Sequence, residues 1–198
     1  MELSVSRLIF CLPILLLGAC DRQSAPQPQA PEVTITNSAE MPAGAKPVAK
    51  MAAGAIDRSH KGQGLPTYAV QDAKGAYVPL NSFLGRPMLL NLWATWCAPC
   101  VKELPQLDTL AGKAPGGLRV IAVSQDLEGL AKVKTFLEAR GIKNLPPLYD
   151  DQAKISGGMG VNLPTTILYD SQGNEVWRTL GDRDWTSAET AKLLAEAR

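Results

Sequence analysis

The sequence predicts an α/β fold built on a mixed central sheet flanked by helices, and three observations carry that expectation. Two near-continuous apolar runs, Pro87 to Trp93 and Leu118 to Val123, read as strands buried on both faces. Each is followed by helical spacing, first from Cys97 to Gly112 and then from Leu127 to Arg140, where Leu130, Val133, Phe136 and Leu137 share a face and Gly141 supplies the stop. Two hairpins complete the pattern. Tyr68 to Val70 and Tyr77 to Leu80 flank the turn Asp72-Ala73-Lys74-Gly75, and Thr165 to Tyr169 and Glu175 to Leu180 flank Asp170-Ser171-Gln172-Gly173-Asn174. Alternation of strand and helix gives the α/β class, and hairpins within it make the sheet mixed. A last helix, Thr186 to Ala197, has Thr186 or Ser187 to cap it.

At 198 residues the chain suits one domain plus extensions, because a single core commonly occupies about 100 to 150 residues. Its 20 Lys and Arg balance 19 Asp and Glu with no basic stripe, which argues against a protein that binds nucleic acid through its phosphates. Four cysteines are too few for a disulfide scaffold, and one histidine leaves little for a metal site. Their positions decide what the cysteines do.

Residues 1 to 19 read as a signal peptide: Arg7 precedes an apolar run from Leu8 to Leu17 that is too short for a mature membrane span. The run ends in Leu17-Gly18-Ala19-Cys20, which resembles the lipobox of bacterial lipoproteins, and that resemblance implies that Cys20 becomes an acylated N-terminus. Several acyl chains hold a protein on a membrane where one chain is marginal. Asp21 resembles the signal for retention at the inner membrane. The expected location is therefore a membrane surface facing the periplasm or another extracytoplasmic space.

Residues 20 to 63 are rich in Ala, Pro, Gln and Ser and carry no aromatic side chain, a composition that cannot offset its ordering entropy by burial. They are expected to form a flexible linker spanning about 35 Å between the anchor and a domain over residues 64 to 198.

Within that domain a buried strand runs into Trp96-Cys97-Ala98-Pro99-Cys100 at the opening of a helix. Helical N–H groups and the macrodipole favour an anion there, so Cys97 is expected to be the nucleophilic thiolate. Cys100, three residues on and on the same face, is placed to resolve a mixed disulfide. Pro99 breaks no helical bond in the first turn, whereas Pro105 forfeits the bond to Val101 and is expected to kink the helix. A zinc site would need more ligands than Cys97, Cys100 and His60, and a c-type haem site would need histidine where Val101 stands. A structural staple across so short a loop would constrain the unfolded chain little.

Leu92-Trp93-Ala94-Thr95-Trp96-Cys97-Ala98-Pro99-Cys100 and Leu163-Pro164-Thr165-Thr166 resemble the thioredoxin superfamily, specifically its membrane-anchored TlpA/ResA-like thiol:disulfide oxidoreductases. The resemblance covers residues 64 to 198, with Gly85-Arg86-Pro87 before the central strand and Gly181 to Trp185 before the last helix. It implies a thioredoxin-like fold with an N-terminal β-hairpin and a strand-helix insertion around Leu127 to Tyr149. It also implies a redox disulfide between Cys97 and Cys100, a cis Pro164 facing them, and substrate contacts from Trp96, Pro164 and Thr165. Glu103 matches the glutamate that supports proton transfer in ResA-like proteins; the plainer alternative is a solvated helix residue paired with Lys102. Asn91 stands where thioredoxin proper has a buried acid and cannot itself act as a base, while Trp93 reads as core or as a shield of the site. Gln125 and Asp126 end the second buried strand, with no chemistry assigned.

No cofactor and no metal are expected. A tethered protein in an oxidising compartment is more often a dedicated reductant, and the Ala-Pro dipeptide resembles the Gly-Pro of reducing thioredoxins more than the Pro-His of strong oxidants. The expected function is reduction of protein disulfides, in apocytochrome c or a copper-site assembly factor, with recharging by a membrane electron donor of the DsbD/CcdA kind. Two alternatives stay open: a disulfide oxidase or isomerase, and a copper-binding assembly protein resembling the Sco family.

Overall fold

The computed structural model describes residues 53–197, so the signal peptide, Cys11, Cys20 and most of the expected linker lie outside the described residues. Eight strands form one mixed sheet: β1 (Ile56–Asp57), β2 (Ala69–Gln71), β3 (Tyr77–Pro79), β4 (Met88–Trp93), β5 (Arg119–Ser124), β6 (Leu148–Tyr149), β7 (Thr165–Tyr169) and β8 (Glu175–Leu180). Their spatial order is β1-β8-β7-β4-β5-β6-β2-β3, which puts the two apolar runs at the centre. β4 pairs in parallel with β5 and antiparallel with β7. The expected hairpins are β2 with β3 and β7 with β8.

All six residues of β4 are buried, and their alternation divides the core. Leu89 and Trp93 face a cluster with Leu104, Leu107 and Leu110 of α1 (Ala98–Lys113), Val133 and Leu137 of α2 (Leu130–Ala139), and Leu194 of α4 (Ala188–Leu194). Met88, Leu90 and Leu92 face the other cluster, with Val70, Leu80 and Ile155 of α3 (Lys154–Met159). Truncating a fully buried residue such as Leu104 to alanine costs about 2–5 kcal/mol.

Four boundaries differ from the sequence reading. The folded region starts before residue 64: β1 pairs with β8, and Glu175 exchanges backbone bonds with Gly62 and Gln63, so the expected linker loses its last residues and His60 belongs to the domain. α2 starts at Leu130 because Gly129 has φ 98°, outside helical space. The segment from Leu127 to Tyr149 holds α2 first and the short β6 after it. α3 was not anticipated, since Gly157 and Gly158 are poor helix formers and the element has 6 residues. α1 continues through Pro105 to Lys113, and α4 is capped by Ser187, whose side chain accepts the Thr190 N–H.

Candidate active site

Both cysteines sit where a parallel strand ends and a helix begins, the edge of an α/β sheet at which ligands ordinarily bind. β4 ends at Trp93, and Cys97 is the N-cap of α1, with Ala98 and Pro99 opening the helix. Cys97 and Cys100 are joined by a disulfide with their Cα atoms 5.3 Å apart. The backbone N–H of Cys100 points at Cys97 Sγ from 3.4 Å, and the first turn carries no acidic residue. In the reduced pair that N–H and the helix dipole favour a thiolate on Cys97. Cys97 keeps 6% of its surface exposed, and Cys100 none, so an incoming sulfur reaches Cys97 alone.

The turn before Cys97 is held by the next strand. Asp126, fully buried after β5, accepts the Thr95 N–H on Oδ2 at 3.0 Å and the Thr95 hydroxyl on Oδ1 at 2.6 Å. Its Oδ2 also accepts from the Ser124 hydroxyl at 2.7 Å. Asp126 is thus a positioning residue for the loop that carries Cys97, while Gln125 accepts the Ser156 N–H and belongs to the α3 connection.

Glu103 lies one turn beyond Cys100 on α1, yet it is only 2% exposed, which removes the solvated alternative; Lys102 pairs with Asp182 instead. Its Oε1 accepts Asn91 Nδ2 at 2.8 Å, and its Oε2 accepts Trp185 Nε1 at 2.9 Å and the Arg183 N–H at 3.3 Å. Burial pushes its pKa up to about 7, with the Trp185, Asn91 and Arg183 donors pulling the other way and the Asp182 charge adding to the rise. A carboxyl poised near neutrality can take up or release a proton at little cost.

Asn91 supplies the donor on the β4 side of Glu103. Its Nδ2 donates to Glu103 Oε1 and to Thr166 Oγ1, while its buried Oδ1 has no partner among the described residues. Turning the amide over would present Oδ1 to a protonated Glu103, with the Thr166 hydroxyl then donating. Asn91 and Thr166 are directly paired across β4 and β7, which fixes this geometry in the sheet register.

The Leu163–Pro164 bond is cis, and Pro164 O accepts the Gly181 N–H at 2.8 Å. Leu163 packs against the cluster that contains both cysteines. Thr165 is fully buried, and its hydroxyl donates to Asn162 O, so its side chain is turned away from any partner. Trp93 is core, 1% exposed, whereas Trp96 is 67% exposed beside Cys97. Sequence reasoning missed the parts played by Trp185, Arg183 and Asp126: a lone aromatic in a connecting loop carries no periodic signal, and Asp126 shows its role only once β5 lies beside β4.

Comparison with known proteins places this geometry. The Redoxin family model matches residues 60–194. The chain is 36% identical to the thiol-disulfide oxidoreductase ResA of Bacillus thuringiensis (strain Al Hakam) over 124 residues, 62% of this chain and 70% of the relative. A crystal structure of a Chlorobium tepidum protein described as thiol:disulfide interchange protein DsbE superimposes with a TM-score of 0.61 at 27% identity, covering 70% of this chain and 98% of that one. The exposed lipoprotein thioredoxin Etrx1 of Streptococcus pneumoniae strain TIGR4 follows with a TM-score of 0.57 at 26% identity, covering 66% of this chain and 99% of that one. Sequence and fold agree that the chain belongs to the Redoxin family, as a thiol:disulfide oxidoreductase of the ResA kind with a thioredoxin-like fold.

Proposed function

We propose that the protein is a lipid-anchored reductant of protein disulfides, tethered through Cys20 to a membrane and facing the extracytoplasmic space, and that Cys97 and Cys100 carry the electrons. The observation that supports this most is the asymmetry of the pair: Cys97 caps the helix at the surface, and Cys100 is sealed beneath it. The Cys97 thiolate attacks a substrate disulfide, one substrate sulfur leaves as a thiolate, and a mixed disulfide forms. Cys100 then loses its proton to the Glu103 carboxylate and attacks Cys97 Sγ, which releases the second substrate sulfur as a thiolate. Two electrons have passed to the substrate, and the enzyme is left with the Cys97–Cys100 disulfide seen here. A membrane dithiol donor of the DsbD/CcdA kind returns the pair to the reduced state. Trp96 and the backbone around Pro164 form the surface on which a substrate chain rests, with Thr165 anchoring the strand behind it. Apocytochrome c or a copper-site assembly factor is the substrate class that the resemblance of the Cys97 and Pro164 motifs to TlpA/ResA-like oxidoreductases implies.

Trapping in cells tests the reading. A Cys100→Ala chain should accumulate as a mixed disulfide through Cys97, and a Cys97→Ala chain should not. Recovering no covalent partner from either chain would count against the mechanism, and a midpoint potential above about −150 mV would overturn the assignment as a reductant.

A further inference from the structure

At the end of the sheet opposite the cysteines two guanidinium groups share a cavity. Arg86 stands before β4 and Arg119 begins β5, with the Arg119 N–H bonded to Pro87 O at 2.8 Å. Both line a cavity of about 280 Å³, together with Phe83 and Asn144, and no acidic residue lines it. Neither arginine has a carboxylate at ion-pair distance among the described residues. Arg119 lies over the Phe83 ring, 5.8 Å from its centroid, and its Nε is buried with no hydrogen-bond partner. The C-terminal end of α1 also borders the cavity, and its carbonyls favour a cation, but Arg119 Nε reaches none of them. Burial and the charge of Arg86 both push the Arg119 guanidinium below its ordinary value.

Two like charges held together around a cavity with a buried, unused donor are the arrangement that an anion completes. By contrast, Arg178 on β8 is satisfied in the ordinary way by the Glu175 carboxylate. We propose that Arg86 and Arg119 form a phosphate-binding site. The planar fork of Arg119 matches two phosphate oxygens, and Arg86 supplies a second positive charge around the same cavity. β4 separates this site from Trp93 and the cysteine loop by about 20 Å of strand, so a phosphate group held here leaves the redox face free. The phosphate has two chemical sources, free inorganic phosphate and the headgroup of a phospholipid.

The test follows binding in two arms at constant ionic strength. In the first, inorganic phosphate replaces chloride while the thermal midpoint of the full chain is read. In the second, the mature chain (residues 20–198) with Cys20→Ser, which carries neither the apolar signal run nor an acyl group, is sedimented with phosphatidylglycerol vesicles. Arg119→Met and Arg86→Gln should each weaken the responding arm by about tenfold or more, and together abolish it. A response to phosphate alone identifies a soluble ligand, and a response to vesicles alone identifies a lipid headgroup. No response in either arm, or equal responses from the parent and the doubly substituted chain, overturns the site. Arg86 is exposed, so the Arg86→Gln chain stays informative even where Arg119→Met fails to fold.

Discussion

Trp185 and Glu103, 82 residues apart in sequence, are joined by an indole N–H to carboxylate bond of 2.9 Å inside the core. That bond brings the connection between β8 and α4 to the same helix that carries both cysteines. Arg183 extends it: its backbone N–H reaches the same Glu103 oxygen, and its guanidinium donates to Gly54 O, Thr190 Oγ1 and Glu189 Oε1. The Glu103 carboxyl, one turn of α1 beyond Cys100, is thereby tied to α4 and to the N-terminal edge of the fold.

Trp185→Phe keeps an aromatic ring and removes the donor. Losing a hydrogen bond to the charged form raises the Glu103 pKa further above about 7, so the pH inflection of the step that resolves the mixed disulfide should move upward. Single-turnover kinetics across pH 5 to 9 read that shift directly. Stability should fall by about 1–3 kcal/mol, from the lost bond and the smaller ring at a position only 3% exposed, while Asn91 and Arg183 still donate to the carboxyl. An unmoved inflection would show that the indole packs against Glu103 without tuning it.

Glu103→Gln separates stability from catalysis. A carboxyl that titrates at about 7 when folded and near 4.5 when unfolded binds more protons in the native state between those values. Its contribution to stability is present below about pH 4.5 and is lost as pH rises through about 7, a change of a few kcal/mol. The Glu103→Gln chain should therefore be more stable than the parent at pH 8, and its urea midpoint should lose this dependence on pH. Its resolution step should slow by about a hundredfold with no inflection near 7. Parent-like kinetics in a folded chain would remove Glu103 from the proton path.

The central strands, the hairpins, the cysteine pair and the helix it opens were all legible in sequence because each rests on a local pattern: an apolar run, a turn cluster, a spacing of three. Glu103 was legible as a position and not as an environment, since nothing in Lys102-Glu103 tells that one side chain pairs outward with Asp182 while the other is buried. Its donors come from β4 and from the loop before α4, brought together only by sheet order. β1 escaped notice because two residues paired to β8 leave no periodicity, and α3 because its glycines argue against a helix that Ile155 nevertheless pins to the core.

Asp126→Ala should disturb the site without touching a sulfur. The substitution strips the Thr95 N–H, the Thr95 hydroxyl and the Ser124 hydroxyl of one shared acceptor, at a cost of about 1–3 kcal/mol for the buried groups left unpaired. Because Thr95 lies two residues before Cys97, the rate of Cys97 alkylation in the reduced chain and its dependence on pH should both change. Asp126→Asn keeps one acceptor and should fall between. An Asp126→Ala chain with parent-like stability and alkylation would show that the turn is held by backbone bonds alone, from the Cys97 N–H to Ala94 O and from the Gln125 N–H to Trp93 O.

A double-substitution cycle on Glu175 and Arg178 should show the opposite separation, a stability effect with no catalytic one. The pair is bidentate at 2.7 and 2.6 Å and almost fully buried, at 2% and 5% exposure. Arg178→Met leaves the carboxylate buried without its partner and should cost about 3–5 kcal/mol in urea unfolding. Glu175→Met with Arg178→Met removes both charges and should recover most of that loss, since apolar side chains of similar volume suit the site. Glu175 begins β8, and Leu180, next to the Gly181 that bonds Pro164, ends it, so reduction of a small disulfide should proceed at the parent rate in the doubly substituted chain. A double variant no more stable than Arg178→Met alone would show that the unpaired Glu175 carboxylate is not what destabilises the single variant.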